Sequence, residues 1–292
     1  MKCCFACDDT FAGESWACPR CHEEPVLRDG IVRFVEDPSG EELGFKSEFF
    51  AKLAGFEAKH FWFRARNRLL QWAVRHYFPR ANCFLEIGCG TGFVLQGLHE
   101  TMPRLRMAGS EIFAGGLRFA RERLPGVDLY QMDARQIPFA NEFDVIGAFD
   151  VLEHIVEDEA VLGQMFKATR PGGGIVVTVP QHPFLWSAND EHSLHQRRYH
   201  RAEMRRKVER AGFSVERITS FVALLLPFMI FSRLTKSRTR PFNLWEEFQI
   251  SRPLNAFFEL ILTFERALIR AGVSFSAGGS LLLVGKKPAT AS

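Results

Sequence analysis

Between Phe84 and Val94 the chain reads FLEIGCGTGFV, an apolar extended run that meets glycines at 88, 90 and 92 and then continues as an amphipathic stretch. Side-chain-bearing residues resist the left-handed backbone that such a bend demands, whereas glycine adopts it freely and lets a ligand approach the main chain. A strand that turns this sharply into a helix delivers its free amides at the helix N-terminus, a place suited to an anionic or hydroxyl-rich ligand. This one feature narrows the fold to those in which a strand, a glycine turn and a helix repeat around a sheet.

The rest of the chain supplies the repeats. Apolar runs CFLEI, RMAGSE, VDLYQ, FDVIGAF and GIVVTV predict strands, separated by helices near Phe93–Glu100, Phe113–Leu124 and Glu153–Ala168. Such alternation specifies β/α units around a parallel sheet, an α/β doubly wound fold of the Rossmann-like kind. A helix over Arg201–Ala211 leads to the strand FSVERITSF, and SLLLVGKK closes the sheet. The long, mostly apolar interval before that last strand exceeds an ordinary loop and is read as a helical insertion or lid.

The domain plan is therefore a cysteine-rich unit at 1–40, a helical segment at 41–80, a core at 81–220, an insertion at 221–277 and the closing strand at 278–287. Within 41–80, HFWFRARNRLLQWAVRHYF places Phe61, Leu69, Trp72, Ala73 and Tyr77 at spacings compatible with an apolar helix stripe. The composition, 47% hydrophobic in 292 residues, supports a core of that size.

GxGxG in isolation fits many strand-to-helix turns, but acids stand where a nucleoside would need them. Glu111 ends the second strand, where its carboxylate can accept hydrogen bonds from both ribose hydroxyls. Asp133 closes the third strand in YQMDARQIPF, placed for an adenine amino group, with the Ala134 amide beside it, and Asp150 ends the fourth. All three ends face the crevice in which doubly wound sheets bind ligands.

In their order and spacing, LEIGCGTG, the acid at Glu111, MDARQIPF, FDVIGAFDVLEHI and RPGGGIVVTVP resemble the motifs of class I S-adenosylmethionine-dependent methyltransferases, over roughly residues 60–220 and the closing strand. The resemblance implies S-adenosylmethionine as cofactor and S-adenosylhomocysteine as product. It places Glu86, Gly88, Gly90, Gly92, Glu111, Ile112, Asp133, Ala134, Phe149 and Asp150 at the cofactor. FDVLEHI is similar to a segment of the ubiquinone-pathway O-methyltransferases, in which an arginine on the helix before strand one contacts the cofactor; Arg68 stands at that distance here. Some of those relatives hold a divalent ion near this segment, which makes Asp150, Glu153 and His154 a conceivable metal set.

A sulfonium methyl is already activated, so only removal of an acceptor proton needs a titrating side chain, and histidine suits that near neutral pH. His154 and His182 are the first candidates, followed by His192, His195 and His200 in NDEHSLHQRRYH. For any one of them, a role capping a helix or bonding at the surface is the more frequent reading.

Five of the seven cysteines fall within the first 21 residues, and Cys4-x-x-Cys7 and Cys18-x-x-Cys21 form two knuckles able to surround one Zn²⁺ with four thiolates. Cys3 could replace Cys4, and His22 is a spare ligand. Such a ribbon also suits a nucleic-acid reader, as in ribosomal RNA methyltransferases, but its few bases (Lys2, Arg20, Arg28, Arg33) are outnumbered by acids. The net charge of +3 adds no basic signature. A small-molecule acceptor is therefore expected rather than nucleic acid, with a non-catalytic cofactor-binding scaffold as a further reading.

No leader-like run opens MKCCFACDDTF, so a cytoplasmic chain is expected. FVALLLPFMIF at 221–231 is too short to span a bilayer, yet with the bases of SRLTKSRTR behind it could rest on an anionic membrane or fold over the crevice as a lid. The lid is the preferred reading.

Overall fold

A computed structural model describes residues 1–38, 47–235 and 249–289. The chain opens with a two-stranded hairpin, β1 (Lys2–Cys3) and β2 (Thr10–Phe11), followed by a second hairpin, β3 (Val26–Arg28) and β4 (Ile31–Arg33). Helices α1 (Ser47–Glu57) and α2 (Phe61–Tyr77) come next. The α2 N-terminus is capped by His60, whose ring Nδ1 accepts from the Trp62 amide at 3.3 Å, and Arg75 and His76 in its last turn complement the helix dipole. Leu69, Trp72 and Ala73 are buried, while Phe61 and Tyr77 pack at the margin of the core.

Units of strand and helix then alternate as the sequence expects: β5 (Cys83–Ile87), α3 (Phe93–Thr101), β6 (Arg106–Glu111), α4 (Ala114–Arg123), β7 (Asp128–Gln131), β8 (Phe143–Phe149), α5 (Asp158–Ala168) and β9 (Thr169–Pro180). A short helix α6 (Ala188–His192) and α7 (Arg201–Arg210) lead to β10 (Ser214–Phe221). After α8 (Leu226–Thr235) and α9 (Arg252–Arg270), β11 (Ser280–Lys286) ends the sheet.

The sheet has nine strands in the order β10-β11-β9-β8-β5-β6-β7-β4-β3. Strands β4 to β9 pair in parallel, and β11 inserts antiparallel between β9 and β10. β5 lies at the middle with all five residues buried, as a parallel strand covered on both faces requires. Strand order reverses between β5 and β8, so the crevice at their carboxyl ends is the site-forming position of this fold.

The cysteine-rich segment departs from the expectation of a unit standing apart. β4 pairs in parallel with β7, Ile31 opposite Leu129 and Arg33 opposite Gln131, and Trp16 packs edge-on against Phe34, Tyr130 and Phe139. Without β4, β7 would leave a row of unpaired backbone groups at the sheet edge, and the three residues of β4 could bury nothing by themselves. Residues 1–24 keep only a small cluster of their own, Cys4, Phe11 and Cys18.

Within the insertion, the described helix α9 lies against α2 and not over the glycine turn. α9 packs on α2 and β10: Phe258 meets Phe61 at 5.2 Å, Asn255 Oδ1 accepts the Phe61 amide at 2.8 Å, and Glu259 pairs with Arg64 and Arg68. It thus backs α2, while the element lying over the glycine turn is α1, whose Phe50 ring approaches Gly90 and Gly116. Residues 236–248, with the latter part of the basic stretch, lie outside the described residues.

Candidate functional site

All three glycines of the turn adopt left-handed backbone, with φ of 66° at Gly88, 51° at Gly90 and 76° at Gly92. A Cβ at Gly88 would stand 2.4 Å from Val151, and one at Gly92 would crowd Ala120 at 3.1 Å. At Gly90 the nearest atom is Phe50 Cε1 at 4.0 Å, so that backbone is open on the crevice side. Two of the glycines are there for packing; Gly90 leaves room for something else.

Glu111, at the end of β6, ties this turn to its own loop. Its Oε2 accepts the Gly90 amide at 3.2 Å, and its Oε1 accepts those of Ile112 at 2.8 Å and Phe113 at 3.3 Å. Burial pushes this carboxyl up, and the three amides pull it back. Beneath the turn Glu86 is 2% exposed with Oε2 unpartnered; burial drives its carboxyl well above the usual range despite the nearby Arg66.

Other expected residues fall into two groups. Asp150, also left-handed at φ 57°, forms an ion pair with Arg66 of α2, whose guanidinium lies 4.6 Å from the Trp62 ring centroid. Phe149 is buried at the end of β8. Asp133 is not the open carboxylate expected: Arg135 occupies both oxygens, with Nη2 to Oδ2 at 2.6 Å and its amide to Oδ1 at 2.8 Å. Burial raises that carboxyl, but the Arg135 contacts outweigh it and hold it low. Ala134 is half-buried beside it.

Arg68 is not brought to the crevice. It is half-exposed and pairs with Glu259 of α9 at 2.8 Å, whereas Arg66, two residues earlier on α2, reaches Asp150. Two residues are about 200° around a helix, so only knowledge of which face meets the sheet selects between them. α1 falls within the helical segment expected at 41–80, but its tie to the glycine turn carried no sequence signal: Thr91 Oγ1 donates to Glu57 at 2.7 Å, and Arg123 donates to both.

Beyond β8 a 3-10 turn, Leu152–His154, carries the other candidates. His154 is held at about pKa 4 by burial and by His195, its ring bonded to the Ser193 backbone. The His195 ring stands 4.7 Å away, and its Nδ1 meets Asp190 Oδ1 at 2.9 Å. Asp190 is fully buried and doubly bonded by Arg198, at 2.7 and 3.0 Å; against the cost of burial, the His195 and Arg198 contacts together hold its carboxyl far below the usual range. Glu153 is fully buried, neither oxygen has a hydrogen-bond partner, and burial plus Asp150 push its carboxyl well up.

Glu153, His154 and His195 bring ligand atoms within 4.8 Å of one another, so His195 rather than Asp150 is the third member of that group. His182 lies apart from it, left-handed at φ 64°, its ring 5.0 Å from Phe184; burial and neighbouring His200 lower its pKa.

At the N-terminus the sulfurs of Cys4, Cys7, Cys18 and Cys21 converge within 4.8 Å, with Cys4 to Cys21 at 3.4 Å and Cys7 to Cys18 at 3.6 Å. These separations far exceed a disulfide and approach the edge of a tetrahedron of thiolates about 2.3 Å from one zinc. Burial raises the Cys18 thiol, but the amides of Cys21 and Arg20 outweigh it and bring it to about 7. Cys3 and His22 are not in the cluster.

A family model described as a methyltransferase domain matches residues 55–218, more than half of the chain. A protein of Mycolicibacterium smegmatis described as a probable S-adenosylmethionine-dependent methyltransferase is 26% identical over 167 residues, covering 56% of this chain and 63% of its own. The ubiquinone/menaquinone biosynthesis C-methyltransferase UbiE of Desulfotalea psychrophila is 29% identical over 101 residues, 34% of this chain and 41% of its own. The chain thus spans less than two thirds of either relative. Among solved structures, Haemonchus contortus phosphoethanolamine N-methyltransferase 2 in complex with S-adenosyl-L-methionine aligns with a TM-score of 0.57 at 15% identity, covering 85% of this chain and 59% of that one. A Thermotoga maritima S-adenosylmethionine-dependent methyltransferase aligns at 0.54 and 17% identity, covering 82% and 97%. These likenesses carry the fold. With the sheet order, the glycine turn and the matched span in agreement, the chain belongs to the methyltransferase-domain family.

Proposed function

We propose that the chain transfers a methyl group from S-adenosylmethionine to an oxygen, nitrogen or carbon atom of a small, apolar or lipid-linked acceptor, leaving S-adenosylhomocysteine. The observation that supports it most is the Glu111 carboxylate bridging Gly90 to the Ile112–Phe113 loop at the carboxyl ends of β5 and β6. When bound, the cofactor supplies a sulfonium methyl already activated for in-line attack.

The residues that would hold it follow from this clamp. Glu111 would receive the ribose hydroxyls, Ile112 and Ala134 would line the adenine, and the turn at Gly88, Gly90 and Gly92, with Glu86 and Phe149 beneath, would border the amino-acid end. Arg66, held by Asp150 and Trp62, would be the cation facing that end. His154, uncharged at neutral pH, and His182 are the side chains able to take an acceptor proton. Aligning the acceptor and excluding water are the remaining tasks, and the covering α1 helix suits both.

An apolar or lipid-linked acceptor is supported by the quinone pathway named for the UbiE relative and by the outward Leu254, Phe257, Leu260 and Phe264 of α9. No described helix is long and apolar enough to cross a membrane, so contact with one would be peripheral. Cosedimentation with anionic vesicles should enrich the protein; no enrichment removes that element of the proposal. Cys4, Cys7, Cys18 and Cys21 would hold one structural Zn²⁺.

Calorimetry with S-adenosylmethionine and S-adenosylhomocysteine tests the central claim, and absence of heat with both on folded protein refutes it. Metal analysis should find about one zinc per chain, and none once Cys18 and Cys21 are replaced by Ser.

A further inference from the structure

The segment after β4 reaches the cofactor side of the crevice through one carboxylate. Asp37 Oδ1 accepts the Ala114 amide at 2.8 Å and the Gln131 side-chain amide, also at 2.8 Å. Gln131 Nε2 in turn donates to the Ile112 carbonyl at 3.1 Å. Ile112 is therefore gripped from both sides: its amide by Glu111 at 2.8 Å, its carbonyl by Gln131. α4 has no side-chain cap from its own N-cap residue, Phe113, so an acceptor 77 positions earlier in the chain supplies one, where the helix dipole favours a carboxylate.

The placement of Asp37 is set by the strand before it. β4 pairs residue for residue with β7, the Phe34 amide donates to the Gln131 carbonyl at 2.8 Å, and Trp16 wedges the cysteine-rich segment against Phe34 and Tyr130. The end of β4 is thus fixed on the same residue, Gln131, whose side chain Asp37 then holds.

We propose that Asp37 is a positioning residue for the cofactor: it fixes the Ile112–Ala114 backbone, through which the N-terminal segment becomes one wall of the adenosine pocket. The inference rests on the cofactor reading above for its consequence in binding, but not for the loop ordering itself. An aspartate held by two neutral donors works here as a hydrogen-bond acceptor, so asparagine, which keeps one carbonyl oxygen, should substitute and alanine should not.

The test uses the full zinc-loaded chain as wild type, Asp37→Ala, Asp37→Asn and the control Glu36→Ala, a neighbour as exposed as Asp37 that makes neither of its hydrogen bonds. In ligand-free protein, hydrogen exchange of the Ile112–Ala114 amides should quicken at least five-fold in Asp37→Ala and stay unchanged in the other two. In calorimetry with S-adenosylhomocysteine, Asp37→Ala should bind about ten-fold more weakly, as loss of one well-made hydrogen-bond link would give. Asp37→Asn should recover wild-type affinity, which a general loss of stability would not allow. Unchanged exchange in Asp37→Ala, equal affinity of Asp37→Ala and wild type, or an Asp37→Asn as weak as the alanine variant would each overturn the proposal. Wild-type protein that gives no heat would refute the cofactor reading instead, leaving the exchange arm to judge the brace.

Discussion

The two sides of the crevice are built on opposite plans. On the β5–β6 side the crevice is bordered by main chain, a glycine turn open at Gly90, and by one carboxylate that accepts from three main-chain donors. On the β8–β9 side they are side chains in a low-dielectric setting, with both oxygens of Glu153 buried and unpartnered and His154 held neutral. A cradle that must grip an invariant ligand can be made of backbone, whose geometry is fixed by the turn. A site that must accept a particular substrate needs adjustable side chains, and buried polar groups left unsatisfied are where such chemistry concentrates.

The comparison can be broken first at Asp190. Its replacement by Ala strands the buried Arg198 and frees His195, so denaturant unfolding should show a loss of about 3–5 kcal/mol, with the glycine side keeping its ligand affinity in the protein that remains folded. A loss below about 1 kcal/mol would mean that the β8–β9 side is solvated after all.

A pH titration probes the same side. His154 has a folded pKa of about 4, below its value near 6.5 in the unfolded chain. The unfolded chain therefore binds the proton more readily. The stability associated with a neutral His154 is complete above pH 6.5 and disappears between 6.5 and 4, about 3 kcal/mol in all. His154→Asn should lack that portion of the acid-side loss, and NMR should place the His154 midpoint near 4 in wild type. A midpoint near 6.5 would erase the contrast between the two sides.

On the opposite side, Glu111→Ala should lower affinity for S-adenosylhomocysteine about 100-fold in calorimetry, the worth of one strong charge-assisted hydrogen bond. Smallest is the contrast between neighbouring arginines. Arg66→Ala should weaken the same binding about ten-fold, while Arg68→Ala, which loses only a half-exposed pair with Glu259, should leave it unchanged. The reverse result would return the cofactor role to Arg68.

Legibility in the sequence follows the same division. The strands CFLEI and RMAGSE appear at the residues expected; CFLEI carries its signal locally, as a buried parallel strand does, and RMAGSE is marked by its short buried middle and the acid that closes it. Glu111 was legible because the strand that ends in it follows the glycine turn by a single helix. Arg66 was not, since Arg64, Arg66 and Arg68 look alike until α2 is laid on the sheet. The Asp190–His195–Arg198 group lies within nine residues, yet its relation to Glu153 depends on how the loop after β9 returns to the end of β8. Asp133 shows the converse limit: its position was legible, but its engagement by Arg135, two residues away, was not.

The sequence by itself determined the alternation of elements, the glycine turn, the acid that faces it and the four cysteines able to converge on one ion. Each is encoded by residue types at short spacing, where chain geometry leaves few choices. Tertiary structure decided which arginine faces inward, that α1 rather than α9 covers the turn, and that the cysteine-rich segment extends the central sheet to bring Asp37 beside Ile112. Those outcomes depend on the rotation of helices and the pairing of strand edges, which are settled by competition for buried area and backbone partners across the whole molecule.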